Sequence, residues 1–293
     1  MNLPLIFAAW LAIQPVHSPE DITITKDGIP VTTVNRLDFF NPYIDFPIFD
    51  VQKYQRFLDQ LDKQISFEAK NARLDHNGNI IPEIAGFKVN RQAFTEQIYA
   101  NFFDQHSPSL EVPLQTVYPK VDSELLSDIR SFRIGRYFTS FNPQNKNRSY
   151  NIKLAAEAIN NYVVFPGETF SFNKVVGKRT KAKGYLKAPV IVRGEFSEDI
   201  GGGICQVSST LFNAVDSAGL AIVQRFSHSR DVPYIPPGRD ATVSWYGPDF
   251  VFKNKYQQPV LIRARTMGRL LIINLYSSEG IQYKPRKIPR PPT

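Results

Sequence analysis

The residue with the clearest chemical potential is Cys205, the single cysteine of the chain. Without a second cysteine it cannot form an intramolecular disulfide, so in an exported chain the thiol would serve catalysis or pairing with another chain. Three glycines at 201–203 precede it, and apolar residues recur at helical spacing from Ile204 onward. This pattern predicts that Cys205 lies in the first turn of a helix, where unpaired N–H groups and the helix dipole favour a thiolate.

A cysteine nucleophile needs a base, and the candidate is His228, the only histidine after residue 106. We expect it at the end of the first strand that follows the cysteine helix, as in papain-like and transglutaminase-like thiol enzymes. The group that orients the imidazole is predicted to be Asp240, at the start of the next strand, which should run from Ala241 to Trp245. Asp231 is the second choice, and a backbone carbonyl is a third.

The substrate or oxyanion side of this site is assigned to Gly203, Gln206, Ser208 and Arg239. Glycines allow another backbone to approach closely, and N–H groups around Cys205 can donate to an oxyanion formed on an attacked carbonyl. Gln206 fits an oxyanion donor and an exposed first-turn residue equally well. Ser208, like Ser209, also fits a residue that packs or lies on the helix surface.

No metal or cofactor is expected in the chain. One cysteine and one histidine are too few for a metal site without carboxylates at recognisable spacing. The glycine run lacks the GxxxxGK[ST] pattern of a phosphate-binding loop.

The charge of the chain is unevenly distributed. Residues 1–125 contain 10 Lys and Arg against 16 Asp and Glu, whereas residues 126–293 contain 25 against 11. Such asymmetry indicates two units with different partners. A basic surface suits nucleic acid, anionic lipid or an anionic cell-wall polymer.

The first 13 residues form an uncharged apolar run, so residues 1–18 are predicted to be a signal peptide or an uncleaved membrane anchor, although no Lys or Arg precedes the run. The alternative is a buried segment of a cytosolic protein. Export would exclude nucleic acid as a partner and would place the chain at the cell wall or the membrane.

The acidic part, residues 20–125, is predicted to be a small α/β module that binds a ligand or serves as a spacer. A helix should bury apolar residues between Val51 and Ile65, and a hairpin should turn at Asn77-Gly78. A second helix should begin at Asn90, and a strand should cover residues 111–117. His76 and His106 lie beside turn-like residues and are predicted to be solvated.

The basic part is predicted to begin with a linker at residues 126–146 and to continue as a mixed α+β domain over 147–280. A helix carrying Ile152 and Ile159 on one face, the cysteine helix and several short strands are expected there. The fold class is therefore α+β, with the cysteine helix packed on an antiparallel sheet. Residues 281–293 are basic and rich in proline, and a disordered tail is predicted.

Five ordered blocks between residues 140 and 276 resemble the VanW domain. They include Asn147-Arg148, Phe165-Pro166-Gly167, Gly203-Ile204-Cys205-Gln206, His228-Ser229 and Gly238-Arg239-Asp240. The first half, especially around Ile81-Pro82-Glu83 and Gly86-Phe87-Lys88, is similar to the peptidoglycan-binding domain that often precedes VanW. VanW proteins accompany some glycopeptide-resistance gene clusters, and some members act as L,D-transpeptidases through the family's cysteine. The resemblance therefore implies Cys205 as a nucleophile and peptidoglycan stem peptides as substrates, with anionic wall polymers as further partners.

Two functions of different classes follow. The first is an exported L,D-transpeptidase that forms a thioester on Cys205 and makes 3–3 cross-links, or a cysteine hydrolase of the same layout in which water replaces the acceptor amine. The second is a non-catalytic wall-binding or resistance-accessory protein in which Cys205 is structural. A thiol that resists alkylation favours the second, and ready labelling near neutral pH favours the first.

Overall fold

The computed structural model describes residues 20–39, 49–103, 108–192 and 195–292, which fall into two compact units. The first unit contains the described residues up to Lys70 together with Ile84–Lys120, and the second contains Asn71–Glu83 together with the described residues from Val121 onward. Both units combine helices with small, mostly antiparallel sheets, which confirms the α+β class. The predicted signal peptide and His106 lie outside the described residues.

The helices and strands are numbered in chain order. The helices are α1 (Val51–Ile65), α2 (Arg91–Phe103), α3 (Ser123–Ile129), α4 (Lys146–Ile159), α5 (Phe172–Val176) and α6 (Ile204–Ser217). The strands are β1 (Asp21–Lys26), β2 (Ile29–Asn35), β3 (Arg73–Leu74), β4 (Ile80–Ile81), β5 (Gly86–Val89), β6 (Ser109–Glu111), β7 (Leu114–Val117), β8 (Phe132–Ser140), β9 (Val163–Val164), β10 (Thr169–Ser171), β11 (Lys187–Val192), β12 (Glu195–Ile200), β13 (Ala221–Gln224), β14 (Val251–Lys253), β15 (Val260–Met267) and β16 (Leu270–Ser277). Short 3-10 turns cover Arg36–Phe39 and Lys181–Lys183.

In the first unit, α1 and α2 cover two small sheets, ordered β2-β1-β6 and β5-β7. Both predicted helices are confirmed. The side chain of Asp50 caps α1 by accepting a hydrogen bond from the N–H of Lys53, and Asn90 caps α2 in the same way. Tyr54 and Phe94 are among the residues that bury the apolar faces of the two helices. The predicted strand at 111–117 is divided between β6 and β7.

In the second unit, a four-stranded antiparallel sheet ordered β8-β16-β15-β9 forms one wall of the core. Helices α4 and α6 pack on this sheet, and α6 lies against β8 and β16. Gly135 on β8 makes that approach possible, because a Cβ there would lie 2.6 Å from the carbonyl oxygen of Ala214 on α6. A second sheet, ordered β10-β14-β13, and the hairpin β11-β12 complete the unit.

The predicted linker at 126–146 is instead part of the folded core. Its central part is β8, which pairs with β16 along most of its length. Ile134, Tyr137 and Thr139 point inward and are buried, while Arg133 and Arg136 are exposed. The exposed arginines make the segment polar in composition. Its buried and exposed residues nevertheless alternate as they do in a strand with one buried face.

The predicted turn at Asn77-Gly78 is confirmed, but its hairpin belongs to the second unit and not to the acidic module. Leu74 is buried there, and its backbone N–H and C=O both bond to the side chain of Asn161. These contacts separate residues 71–83 from the rest of the predicted 20–125 module.

The chain end is also ordered rather than disordered over much of 281–293. Ile281 is buried in the second core, and the backbone N–H of Arg286 donates to the carbonyl oxygen of Ser217. The guanidinium of Arg286 pairs with Asp216 at 2.8 Å. A segment rich in proline can pack without forming a helix or strand, since its backbone needs few hydrogen-bond partners.

Candidate functional site

Cys205 occupies the second position of α6, as the apolar spacing predicted. Gly203 is the N-cap, with φ of 105°, and supplies no side-chain cap. The N–H of Cys205 therefore has no partner within the helix. Gly202 allows a close backbone approach, because a Cβ there would lie 2.4 Å from the carbonyl oxygen of Ala188 on β11. Cys205 as a whole residue is half-buried.

The other two glycines of the run make room for arginine side chains. A Cβ on Gly201 would lie 3.1 Å from the Cβ of Arg179, and a Cβ on Gly203 would lie 2.9 Å from the Cγ of Arg148. Both glycines have positive φ, so a larger residue would be strained there even without these neighbours. The glycine turn thus brings two guanidiniums to the helix end that carries Cys205.

His228 and Asp240 meet as predicted. The Nδ1 atom of His228 lies 2.6 Å from the Oδ2 atom of Asp240, and the same oxygen accepts the backbone N–H of His228 at 2.5 Å. Both side chains are over nine-tenths buried. The imidazole is close enough to the thiol of Cys205 for each group to act on the pKa of the other. The Sγ atom itself lies 3.7 Å from the hydroxyl oxygen of Thr242 and 3.6 Å from the carbonyl oxygen of Val243. Asp231, the second choice, is exposed, and the carboxylate that contacts the imidazole is that of Asp240.

The electrostatics of these three groups favour a thiolate next to an imidazolium. Burial by itself raises the pKa of the Cys205 thiol, but the hydrogen bond and charge of His228 outweigh it and lower the pKa below its ordinary value. Burial also opposes protonation of His228, yet Asp240 and Cys205 raise its pKa to about 9. The pKa of Asp240 is lowered by His228 despite burial, so its carboxylate stays charged.

The segment that carries Asp240 is extended but is not the strand predicted from Ala241 to Trp245. Its backbone bonds to side chains of α6 and, through the N–H of Thr242, to the carbonyl oxygen of Phe226 at 2.8 Å. The hydroxyl of Ser208 donates to the carbonyl oxygen of Ala241 at 2.5 Å, and the hydroxyl of Ser209 accepts the N–H of Ala241 at 2.9 Å. The polar face of the cysteine helix therefore positions the carboxylate that orients His228.

Three of the four predicted substrate-side residues have their side chains engaged elsewhere. Gln206 is buried, and its Nε2 atom donates to Thr139 and to the carbonyl oxygen of Ser140 on β8. Ser208 is fully buried against Ala241. This correction follows from helix geometry, since neighbouring positions on a helix point about 100° apart and therefore face different parts of the structure.

Arg239 is the third of the predicted substrate-side residues whose side chain is bound elsewhere in the fold. Its Nε atom donates to Asn213, its Nη2 atom contacts Asp216 at 2.7 Å, and its guanidinium lies over the ring of Phe212. These bonds hold Arg239 against the middle of α6, away from the thiol at the helix start. Of the four predicted residues, only Gly203 lies at the thiol site. Its missing side chain leaves space for Arg148.

We predict that Ser209→Ala destabilises the protein by about 1–3 kcal/mol, because the buried N–H of Ala241 loses its acceptor. Urea unfolding of the variant and of Ser229→Ala, which alters an exposed serine, measures the difference. Equal stabilities of the two variants would contradict this account of the Asp240 segment.

Sequence reasoning did not single out three residues around the thiol: Arg148, Arg179 and Tyr234. Arg179 belonged only to a general expectation that the Arg and Lys of 174–193 meet stem carboxylates or anionic wall polymers. The charge of Cys205 acts on all three. Burial lowers the pKa of both guanidiniums and raises that of the Tyr234 hydroxyl. The guanidinium of Arg148 lies over the ring of Tyr234, 5.8 Å from its centre. Arg148 stands in one of the family blocks, but nothing in the spacing of these residues indicated that they would meet Cys205.

A cavity of about 830 Å³ lies elsewhere in the second unit, beside the β3-β4 hairpin. Two of the arginines that line it bind backbone: Arg263 donates to the carbonyl oxygens of Leu74 and Asp75, and Arg130 donates to that of Gly78. We therefore interpret it as a structural crevice.

Over the described ranges, no cluster of three or more His, Cys, Asp and Glu could hold a metal ion. None of the helices placed by the structure has the length and apolar character needed to cross a membrane.

Comparison with known proteins finds two family matches, one in each half of the chain. Residues 147–276 match the family described as "VanW like protein", and residues 45–111 match the "Putative peptidoglycan binding domain". The chain is 55% identical over 289 residues to "Uncharacterized protein YoaR" of Bacillus subtilis, which covers 99% of this chain and 95% of that protein. It is 37% identical over 83 residues to "Vancomycin B-type resistance protein VanW" of Enterococcus faecalis, covering 28% of this chain and 30% of that protein.

No solved structure matches the chain. The near full-length similarity and the two domain matches agree with the blocks recognised in the sequence. The chain therefore belongs to the VanW-like family and carries a peptidoglycan-binding domain ahead of its VanW domain.

Proposed function

We propose that the VanW domain is a cysteine-dependent L,D-transpeptidase that acts on peptidoglycan stem peptides outside the cytoplasm. The observation that carries the proposal is the group Cys205, His228 and Asp240, in which the buried carboxylate lies 2.6 Å from the imidazole and the imidazole acts on the thiol of the half-buried Cys205. This is the arrangement that thiol acyl-transfer enzymes need: nucleophile, base and orienting group. A structural cysteine would need neither the imidazole nor the carboxylate.

The acylation step begins with the thiolate of Cys205 and the imidazolium of His228. The sulfur attacks the carbonyl carbon that precedes the terminal D-Ala of a donor tetrapeptide, and a C–S bond forms. The carbon–nitrogen bond then breaks, and His228 passes its proton to the leaving amine, so D-Ala departs. The product is a thioester on Cys205 with a neutral imidazole beside it.

Two groups can donate to the oxyanion that forms on the attacked carbonyl. The first is the N–H of Cys205, which has no partner within α6. The second is the hydroxyl of Tyr234, which lies in the same buried cluster and interacts with Ser209 and Cys205. These donors replace Gln206, whose amide is bound to β8.

Deacylation uses the same groups in reverse. The side-chain amine of a neighbouring stem's diamino acid attacks the thioester carbonyl, and neutral His228 takes the proton from that amine. The C–S bond breaks and the new amide forms a 3–3 cross-link, while thiolate and imidazolium are restored. If water attacks in place of the amine, the product is a shortened stem and the enzyme is a hydrolase.

The first unit supports this role through its match to a peptidoglycan-binding domain at residues 45–111. We propose that it holds the wall polymer while the VanW domain carries out the chemistry. The similarity to a protein named for vancomycin resistance is consistent with action on the cell wall.

The direct test is to trap the thioester on the full-length chain. The protein is incubated with a synthetic tetrapeptide donor and no acceptor, quenched in acid and weighed intact. We expect a mass increase equal to the donor minus D-Ala, mapped to Cys205, and no increase after prior alkylation with iodoacetamide. Addition of an amine acceptor should release a 3–3 dimer. Release of tripeptide alone would identify a hydrolase, and absence of any adduct would reject the acyl-transfer proposal.

A further inference from the structure

Among the described residues, the two guanidiniums beside the thiol, those of Arg148 and Arg179, form no ion pair with a carboxylate, whereas buried arginines usually do. The Nη1 atom of Arg179 is buried and has no hydrogen-bond partner among the described residues. An unpaired buried donor on a charged group costs free energy, so its retention indicates that a ligand supplies the acceptor.

The neighbours of Arg179 hold it in place without neutralising it. Its Nη2 atom donates to the Oδ1 atom of Asn173 at 2.7 Å, and its guanidinium lies 5.9 Å from the ring centre of Phe172. Asp249 acts on it through charge, but the carboxylate oxygens of Asp249 accept hydrogen bonds from Ser171 and from the backbone of Asn173. The guanidinium is therefore oriented, and its buried Nη1 atom has no hydrogen-bond partner among the described residues.

Arg148 provides a second positive charge at the glycine turn. It comes from the first turn of α4, packs against Gly203 and lies over the ring of Tyr234. The N-terminus of α6, which follows the glycine turn, adds a partial positive charge. The charge of the Cys205 thiolate acts on both guanidiniums, which places them in electrostatic range of the reacting sulfur.

We propose that Arg148 and Arg179 form an anion site for the free C-terminal carboxylate of the donor peptide, with Arg179 Nη1 as the donor that binds it. This assignment rests on the proposed acyl transfer. It adds the requirement that the donor peptide end in a free carboxylate. The leaving residue carries a carboxylate about one residue, roughly 3.5 Å along the chain, beyond the scissile carbonyl. An anion site beside the thiol holds that carboxylate and so aligns the carbonyl with the sulfur.

The assignment makes the enzyme specific for the last peptide bond of a stem. A donor that ends in a carboxamide lacks the negative charge that would pair with Arg179, and a donor that continues beyond the leaving residue has no carboxylate at that position. A site built to bond a charged group rejects analogues that lack it, because its own buried group is then unpaired.

The test compares two donors on the full-length protein: a tetrapeptide with a free C-terminal acid and the same peptide with a C-terminal amide. The rate of the Cys205 adduct is followed by intact mass. We expect the acid to acylate the wild type roughly 10- to 100-fold faster than the amide. Arg179→Gln should lower the acid rate by a similar factor and leave the amide rate almost unchanged.

Two further variants complete the design. Lys178→Gln removes the neighbouring exposed cation, which contacts Tyr246, and should leave both rates unchanged. Arg179→Lys keeps the charge but not the planar fork, and should recover part of the preference for the acid. If Arg179→Gln does not fold, the comparison of acid and amide on the wild type decides alone.

Equal rates for acid and amide on the wild type would overturn the anion site while leaving acyl transfer intact. An Arg179→Gln variant that loses both rates equally would also overturn it, because the arginine would then serve the thiolate or the fold. A wild type acylated by neither peptide would reject the proposed function and this assignment together.

Discussion

Cys205→Ala is expected to abolish the formation of 3–3 cross-linked dimers from donor and acceptor stems. The variant removes the sulfur that carries the acyl group, and no described side chain at the site can take its place, since His228 is bound to Asp240 and Ser208 and Ser209 are buried. Loss of the nucleophile from a triad costs on the order of 10⁶-fold in rate, so the product should fall to background. Muropeptide analysis after incubation with purified protein measures it.

The control for Cys205→Ala is whether the fold and wall binding survive. The substitution removes one sulfur atom from a partly exposed position, so the free energy of unfolding should change by less than about 1.5 kcal/mol. Binding to insoluble peptidoglycan should be unchanged, because the matched binding domain covers residues 45–111. If the variant produced the same dimers as the wild type, Cys205 would not be the nucleophile and the wall-binding alternative would gain support.

His228→Gln is expected to have the second largest effect, a loss of about 10²- to 10⁴-fold in acyl transfer. Glutamine fills similar space but cannot take or give a proton at neutral pH. The variant also removes the interaction that lowers the pKa of the Cys205 thiol, so burial should then raise that pKa. Alkylation of Cys205 by iodoacetamide at pH 7 should slow at least about 10-fold, since an ordinary thiol is only a few per cent ionised at that pH.

The pH dependence of the wild type follows from the same pair. His228 has its pKa raised to about 9, so the imidazolium that protonates the leaving amine is present below that pH and is lost as the pH rises through about 9. The acyl-transfer rate should therefore fall above about pH 9. Asp240→Asn removes a charge that raises the pKa of His228, so it should move this decline to lower pH. A decline at the same pH in both proteins would contradict the assignment.

Much of the local structure could be predicted from the sequence. The spacing of apolar residues and the capping residues located α1, α2, α4 and α6, because a helix buries a stripe that repeats every 3.6 residues. The turn at Asn77-Gly78 was equally visible, because that dipeptide favours the backbone that a tight hairpin needs. What failed were the assignments based on composition: the linker at 126–146 is β8, and the tail packs on the core through Ile281.

In the candidate site, the three central groups, Cys205, His228 and Asp240, could be selected from the sequence alone. A single cysteine, a single downstream histidine and a following aspartate left few combinations, and the helix start at Cys205 is a local property of the glycine turn and the apolar spacing. Such features depend on residues close together in the chain, so they can be read without the fold.

The residues that surround the thiol depend on tertiary packing and could not be predicted from the sequence. Gln206, Ser208 and Arg239 face β8, Ala241 and the middle of α6, while Arg148 and Arg179 converge on Cys205. Each of these outcomes depends on which distant segment packs against which face of α6. That packing is a sum of many contacts distant in sequence, so residue type and spacing determined which groups could react, and the fold determined what surrounds them.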